Sequence, residues 1–180
     1  LFNQLTGSNQ HVGNFPGVTV DKKEGSIRRH PEATVTDLPG IYSLSPYTLE
    51  EVVSRDYLLK EKPDVIIDLV DATNIERNLY LATQLLEIGI PVVIALNMVD
   101  LLKKNNIHIN VKGLSSALGC PIVETSALKG TGLKEVVDEA IKCANQHRVP
   151  SKQMEFPKAV EKAVNEIEGF VPANIAEENK

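Results

Sequence analysis

An uninterrupted apolar run followed by two polar side chains constrains the fold of this chain more than any other feature. Residues 92–96 read V-V-I-A-L; Pro91 precedes them, and Asn97 and Asp100 follow them. A continuous apolar run of this kind predicts a strand that is buried on both faces, as in a parallel sheet. Because open parallel sheets bind ligands at the carboxyl ends of their strands, Asn97 and Asp100 are predicted to lie at a binding site.

Two further motifs end predicted strands and strengthen the Asn-x-x-Asp pattern, which by itself is usually a solvated loop end. D-L-P-G occupies residues 37–40 after a predicted strand at 34–36, and S-A-L-K occupies residues 126–129 after one at 122–125. An Asp carboxylate can accept hydrogen bonds from the ring N–H and the exocyclic amine of guanine, a pair that adenine lacks. D-x-x-G, N-x-x-D and S-A-x-K in this order, each after a predicted strand, resemble the motifs of GTP-binding proteins. The chain is therefore predicted to have a guanine-nucleotide site.

The D-L-P-G motif predicts contacts with the phosphate end of a nucleotide. A D-x-x-G motif after a strand resembles the Mg²⁺ and γ-phosphate sensor of GTP-binding proteins. That resemblance implies that Asp37 holds Mg²⁺, usually through water, and that the Gly40 N–H reaches a γ-phosphate. Taken alone, the same residues fit an ordinary proline turn equally well, so this assignment depends on the flanking motifs. In the S-A-L-K motif, backbone N–H groups suit the keto oxygen of guanine, and the aliphatic stem of Lys129 can lie over the base.

Several longer strings make the chain similar to one protein family. They are V-G-N-F-P-G-V-T-V at residues 12–20, D-L-P-G-I-Y-S at 37–43, V-D-A-T-N-I-E-R-N-L at 70–79 and N-M-V-D at 97–100. Over about residues 1–145 the chain resembles the cytosolic GTPase domain of bacterial ferrous iron transport protein B. The first and third strings are not general features of small GTPases, so the resemblance is specific.

The resemblance implies roles for individual residues. Thr19 becomes the switch threonine that closes on Mg²⁺ and the γ-phosphate, so catalysis is assigned to Thr19, Asp37 and Gly40, and the metal to Thr19 and Asp37. GTP or GDP, Mg²⁺ and a monovalent cation such as K⁺ are the implied cofactors. The residues expected to bind the nucleotide are Gly17, Val18, Thr19, Asp37, Leu38, Pro39, Gly40, Asn97, Met98, Asp100, Ser126, Ala127, Leu128 and Lys129.

The chain departs from the family pattern at its amino terminus. No G-x-x-x-x-G-K-S/T phosphate loop occurs in the 180 residues, and Leu1 stands where the family's phosphate loop has just ended. That loop normally supplies a backbone cradle, a Lys on the β- and γ-phosphates and a hydroxyl on Mg²⁺. We therefore expect the sequence to be amino-terminally incomplete.

Alternating strand and helix patterns predict an α/β fold. We expect a P-loop-NTPase-like, doubly wound and mostly parallel sheet with helices on both faces. A GTPase domain is predicted over residues 1–145, a linker over 146–157, and the start of a small, truncated helical domain over 158–180. Within the GTPase domain, residues 8–17 are predicted to be a loop and residues 18–23 an edge-like strand.

Helix starts and polar segments give further local predictions. T-L-E-E at residues 48–51 and T-N-I-E at 73–76 both match a capping box, in which a Thr and a Glu satisfy the first N–H groups of a helix. Residues 101–110 are predicted to be a polar connection. Asp68 lies inside a predicted buried strand at 65–70, where a carboxylate is unexpected, and the sequence assigns it no role.

Composition narrows the function classes. A net charge of −5 and a pI near 5.4 argue against a nucleic-acid partner, and the chain has 4% aromatic residues with no Trp on which bases could stack. Two cysteines give no disulfide framework, which fits a reducing cytosol. The four histidines are scattered without metal-ligand spacing. No apolar run approaches the roughly 20 residues that span a bilayer.

The function predicted on these grounds is a slow GTPase switch that controls an attached transmembrane iron-permeation domain, at the cytoplasmic face of the bacterial inner membrane. Turnover is expected to be slow because Ile41 occupies the position where many relatives carry a water-orienting Gln. Met98 replaces the more common Lys, and its apolar chain can still pack along the base. Two alternatives remain open: a GTPase with another role, for example in ribosome assembly, or a non-hydrolysing interaction module or inactive fragment. The oligomeric state is not predicted.

Overall fold

A computed structural model describes residues 1–7 and 10–147, which fold into a mixed α/β structure. The elements in chain order are α1 (Phe2–Thr6), β1 (Gln10–Asn14), β2 (Asp21–Ile27), β3 (His30–Asp37), α2 (Leu49–Glu61), β4 (Ile66–Asp71), a short 3₁₀ helix (Ala72–Asn74), α3 (Ile75–Glu87), β5 (Val92–Asn97), α4 (Val99–Lys104), α5 (Val111–Leu118), β6 (Ile122–Glu124) and α6 (Leu133–Gln146). The predicted linker at 146–157 lies outside the described residues except for its first two positions, and the predicted helical tail at 158–180 lies wholly outside them.

The strand predicted from the apolar run is the centre of a parallel sheet. β5 pairs with β4 on one side and with β6 on the other, so the sheet order is β4-β5-β6. Val93, Ile94, Ala95 and Leu96 are fully buried, since helices cover both faces of the sheet. The predicted α/β class, with a parallel sheet and a buried strand at residues 92–97, is confirmed.

The helices on the two faces bury different apolar clusters. α3, α4 and α5 pack on one face and form the main core with side chains such as Leu79 and Leu118. α6 covers the opposite face, where Ala140 and Cys143 pack against Val93. β4 ends at Asp71 and β5 ends at Asn97, which are paired at the same edge of the sheet. The carboxyl edge of a parallel sheet is where a ligand site is expected. Among the described helices, none is both long enough and apolar enough to cross a lipid bilayer.

The amino-terminal strands form a separate antiparallel sheet in the order β1-β2-β3. The prediction of a loop at residues 8–17 is wrong for β1, whose whole length pairs with β2. The predicted edge-like strand at 18–23 is confirmed as a strand only from Asp21 onwards, where β2 begins. Its edge position is wrong, because β2 is the central strand. β1 is mostly exposed and has no apolar alternation, so it is a strand because of its partner and not because of its own sequence.

The capping predictions have opposite outcomes. The box at the start of α2 is confirmed, since Thr48 Oγ1 accepts the Glu51 N–H at 3.2 Å and the Glu51 carboxylate accepts the Thr48 N–H at 3.1 Å. The box predicted at residues 73–76 is wrong. Asp71 begins this segment instead, by accepting the N–H of Thr73 at 2.8 Å and its hydroxyl at 2.7 Å.

The predicted polar connection at residues 101–110 is wrong in its first part, because α4 occupies Val99–Lys104. Val99 and Leu102 are spaced three positions apart and are both buried in the main core. That spacing places them on one face of a helix. The consequence for the site is that Asp100 belongs to the first turn of a helix and not to a free loop.

Candidate nucleotide-binding site

Asn97 joins two loops at the carboxyl edge of the parallel sheet. Its side-chain oxygen accepts the backbone N–H of Ala127 at 2.9 Å and lies 3.5 Å from the hydroxyl of Thr125. Thr125 and Ser126 are almost fully buried, so the loop that carries Ala127 begins from a fixed point. The structure therefore brings the N-M-V-D and S-A-L-K motifs together through a direct hydrogen bond.

This contact changes which amide is available to a ligand. The Ala127 N–H, one of the group predicted for the guanine keto oxygen, is already donated to Asn97. The Lys129 N–H lies 3.4 Å from the Ser126 hydroxyl. The Leu128 N–H makes no hydrogen bond within residues 1–7 and 10–147, and the residue is 92% exposed. Leu128 consequently offers the open donor of this loop.

Asp100 lies beside the same loop and is paired with its lysine. The Lys129 ammonium lies 3.1 Å from Asp100 Oδ2, and the carboxylate is about one-fifth exposed. Hydrogen bonds from Lys129 and, more weakly, from Ser126 lower the pKa of Asp100 below its ordinary value, against a smaller opposing effect of desolvation. Asp100 is therefore an ionised acceptor, the form that can receive two N–H groups from a base.

Met98 allows the chain to turn between Asn97 and α4. Its backbone adopts the left-handed conformation with φ of 65°, which is uncommon for a residue other than glycine. The side chain is 39% exposed. The turn carries the chain from Asn97 at the end of β5 directly into α4, whose first turn contains Asp100.

The D-L-P-G motif lies at the end of β3, in the antiparallel sheet. Leu38 packs against the main core, Pro39 is half-buried and Gly40 is exposed. The Asp37 carboxylate is exposed and makes no hydrogen bond or ion pair with any residue that the structure describes. An open carboxylate at the end of a fixed strand suits a hard divalent cation such as Mg²⁺.

Thr19 lies in a turn between β1 and β2 that is fixed at its base. The Phe15 N–H donates to the Val20 carbonyl at 2.9 Å, and the Phe15 ring packs edge-on against Tyr57 with centroids 5.9 Å apart. Gly17 takes a positive φ of 77° at the tip of the turn, and Val18 is half-buried beside it. The Thr19 hydroxyl is exposed and is an oxygen donor that fits Mg²⁺.

The predicted site residues thus fall into two groups on two sheets. The base group, Asn97 and Asp100 with residues 126–129, is held together by hydrogen bonds and an ion pair. The phosphate group, residues 17–19 and 37–40, lies in the turn between β1 and β2 and at the end of β3. No hydrogen bond or ion pair joins the two groups within residues 1–7 and 10–147. In the same ranges, no cluster of three or more His, Cys, Asp or Glu side chains could by itself hold a metal ion.

Two residues that the sequence did not single out support the base group. The Gln4 side chain in α1 donates to the Ala127 carbonyl at 2.6 Å, which fixes the S-A-L-K loop from the other sheet's side. Gly132 begins α6 with φ of 75°, and a Cβ there would overlap the Glu124 carbonyl. The role of Gln4 was not predictable from the sequence, because its contact spans 123 positions. The role of Gly132 was not predictable either, because a glycine shortly after a motif is a weak signal.

Comparison with known proteins identifies the family. A family model described as ferrous iron transport protein B matches residues 1–140. The chain belongs to the ferrous iron transport protein B (FeoB) family. The match covers all the predicted site residues, and it confirms the resemblance inferred from the strings in residues 12–100.

Curated FeoB relatives extend the match along the chain. The Fe(2+) transporter FeoB of Escherichia coli is 44% identical over 176 residues, which cover 94% of this chain and 22% of the relative. The protein of the same name from Salmonella typhimurium is 48% identical over 149 residues, covering 80% of this chain and 19% of the relative. The chain therefore spans about a fifth of the length of the FeoB proteins it matches.

Solved FeoB structures confirm the fold. A crystal structure of mGMPPNP-bound NFeoB from S. thermophilus has a TM-score of 0.71 and 56% identity, covering 80% of this chain and 56% of that one. The cytosolic domain of L. pneumophila FeoB has a TM-score of 0.74 and 42% identity, covering 79% of this chain and 57% of that one. The part of the chain that the structure describes thus shares the fold of part of these FeoB structures.

Proposed function

We propose that this chain is the guanine-nucleotide-binding part of a GTPase switch that controls a ferrous iron transporter. The observation that carries the proposal is the joined base group, in which Asn97 fixes the loop at Ala127 while Asp100 stands ionised beside Lys129. A relative with a bound nucleotide supports the proposal, since the S. thermophilus NFeoB crystal structure is mGMPPNP-bound. Membership of the FeoB family favours this role over one in ribosome assembly.

The base group has the chemistry to select guanine. The two oxygens of Asp100 would accept the ring N–H and the exocyclic amine, and the free Leu128 N–H would donate to the keto oxygen. Adenine presents neither the amine at that position nor the keto oxygen, so it would leave these groups unpaired. Met98 and the stem of Lys129 would cover the faces of the base.

The phosphate group is proposed to sense the γ-phosphate. Asp37 and Thr19 would hold Mg²⁺, the former through water, and the Gly40 N–H would meet a γ-phosphate oxygen. Bound Mg²⁺, with K⁺ as a second cation, would neutralise charge on the phosphates. Ile41 follows Gly40 and has no polar side-chain atom with which to orient water, so hydrolysis is expected to be slow.

The relatives support the role proposed for the whole protein. They are Fe(2+) transporters, and this chain matches about a fifth of their length. We propose that the rest of the polypeptide contains the transmembrane domain through which Fe²⁺ passes as cargo, with this domain at the cytoplasmic face of the inner membrane. Nucleotide state would then be communicated within one polypeptide, and no nucleic-acid partner is proposed.

The proposal is tested by measuring nucleotide affinity on the protein as its gene encodes it. Fluorescent GDP should bind and be displaced by unlabelled GDP, whereas ADP should compete at least about 100-fold more weakly, because it leaves the Asp100 carboxylate and the Leu128 amide unpaired. Equal competition by ADP and GDP would refute a guanine-selective site. Absence of binding by both would refute the nucleotide-binding role altogether.

Thr19→Ala is expected to slow GTP hydrolysis by about 100-fold while leaving GDP affinity nearly unchanged. The reason is that the hydroxyl would contact Mg²⁺ and the γ-phosphate, which are engaged during hydrolysis and not in a GDP complex. Single-turnover phosphate release measures the rate. Thr34→Ala, at an exposed position of β3, is the matched control and should not change it. An unchanged rate in Thr19→Ala would remove Thr19 from the mechanism.

A further inference from the structure

The segment that follows Gly40 is attached to α3 through one glutamine. The Leu44 N–H donates to Gln84 Oε1 at 2.8 Å, and the Ser43 hydroxyl lies 3.3 Å from the same oxygen. The Ser45 N–H in turn donates to the Ser43 hydroxyl at 3.0 Å. One side-chain oxygen on a helix therefore holds a stretch of chain that has no regular secondary structure of its own.

An arginine of the same helix makes a second attachment. The Arg77 guanidinium lies over the ring of Tyr42, with its central carbon 3.6 Å from the ring centroid. A guanidinium at this distance from an aromatic face is attracted by the ring's negative potential. Arg77 belongs to the D-A-T-N-I-E-R-N-L string and Tyr42 to the D-L-P-G-I-Y-S string, so two strings that mark the family meet here.

α3 is a rigid base for these attachments. Leu79, Ala82, Leu85 and Leu86 fix it in the main core with exposures of 5% or less. Residues 77 and 84 are two helical turns apart, and both project from the face that meets the segment. We name the contacts of Arg77 with Tyr42 and of Gln84 with Ser43 and Leu44 the α3 clamp.

The clamp acts close to Gly40. Leu38 and Leu44 both pack against the main core, so the chain between them is a short span fixed at each end. Gly40 lies inside that span, two residues before the clamped Tyr42. With both ends held, the position of the Gly40 N–H depends on the clamp and not only on the strand that precedes it.

From this geometry we infer that Arg77 and Gln84 are positioning residues that hold Gly40 where its N–H meets a γ-phosphate. The inference rests on the proposed function, since it assigns a role within the nucleotide site. Because the clamp orders the segment before GTP binds, no binding free energy is spent on ordering it. When the clamp is broken, only a fraction of molecules is competent for γ-phosphate contact, and the apparent affinity falls by that fraction. GDP does not reach Gly40 and should not be affected.

The test compares a non-hydrolysable GTP analogue with GDP on the protein as its gene encodes it. Arg77→Met and Gln84→Met remove the charge and the acceptor while retaining long, helix-favouring side chains. The matched controls are Arg55→Met in α2 and Gln146→Met in α6, both at exposed positions. We expect the ratio of the GMPPNP Kd to the GDP Kd to rise about 5- to 10-fold in the double clamp variant, and to stay unchanged in both controls.

A second readout requires no nucleotide. Amide hydrogen exchange at Leu44 should accelerate in Gln84→Met, because its only side-chain acceptor is lost. An unchanged ratio, an equal loss for both nucleotides, a selective gain for GMPPNP or an unchanged exchange rate at Leu44 would each overturn the inference. Failure of the unmodified protein to bind GDP would refute the proposed function instead. GDP binding with an unchanged ratio would overturn the clamp's role alone.

Discussion

Asp100→Asn is expected to shift base preference from guanine towards xanthine by about 10³-fold, measured as the ratio of GDP to XDP affinity. The Asp carboxylate only accepts hydrogen bonds, which matches two donors on guanine. An Asn presents one acceptor and one donor, and xanthine offers the complementary N–H and carbonyl at the same positions. Two hydrogen bonds to a charged group are together worth about 4 kcal/mol, which corresponds to that ratio.

The ion pair of Asp100 with Lys129 supports this prediction. Asp100 is held by Lys129 at 3.1 Å, so the carboxylate is already oriented beside the S-A-L-K loop. The measurement is competition of GDP and XDP against fluorescent GDP in the wild-type and variant proteins. Asp64→Asn, the same change at an exposed position before β4, is the control and should leave the ratio unaltered. Loss of affinity for both bases in equal measure would show that Asp100 supports the loop without reading the base.

Asp68→Asn is expected to have a higher free energy of unfolding than wild type at high pH. The difference between the two proteins should increase by about 3 kcal/mol between pH 5 and pH 8.5. Asp68 lies on β4 opposite Ile94 and faces the main core. Its Oδ2 has no hydrogen-bond partner within residues 1–7 and 10–147. Burial raises the pKa of this carboxyl from 3.8 to about 7. Asn fills the same volume without a charge.

The sign of the pH dependence follows from proton binding. Between about pH 4 and pH 7 the folded state keeps the Asp68 proton while the unfolded chain releases it, so the free energy of unfolding falls as pH rises. Most of the loss is complete above about pH 7.5, where both states are ionised. The negative charge also contributes, after burial, to raising the pKa of the neighbouring Cys120 thiol to about 12.

Urea unfolding at the two pH values measures this effect. Wild type should lose stability on going to the higher pH, and Asp68→Asn should lose about 3 kcal/mol less. Asp64→Asn again serves as the control, because the Asp64 side chain is exposed just before β4, the strand that contains Asp68. Parallel pH curves for wild type and Asp68→Asn would mean that Asp68 is ionised in the folded protein at both pH values.

The sequence by itself determined the features that depend on local pattern and on strand order. The apolar run at residues 92–96 predicted a strand buried on both faces, and the polar residues after it were predicted to lie at the sheet's carboxyl edge. The Thr48 box begins α2 as its sequence requires, because its partners are three residues apart. The family strings were likewise sufficient to predict the family, since they depend on identity and not on packing.

The tertiary structure alone decided the features whose partners are distant in the chain. β1 is a strand because β2 pairs with it. Its own Gly and Asn residues are typical of a loop, so its sequence did not predict a strand. The Ala127 amide is donated to Asn97 across 30 positions, which leaves Leu128 as the open donor. Gln84 holds Leu44 across 40 positions. Such contacts cannot be predicted from local sequence, because they form only when the sheet and helices have brought both partners together.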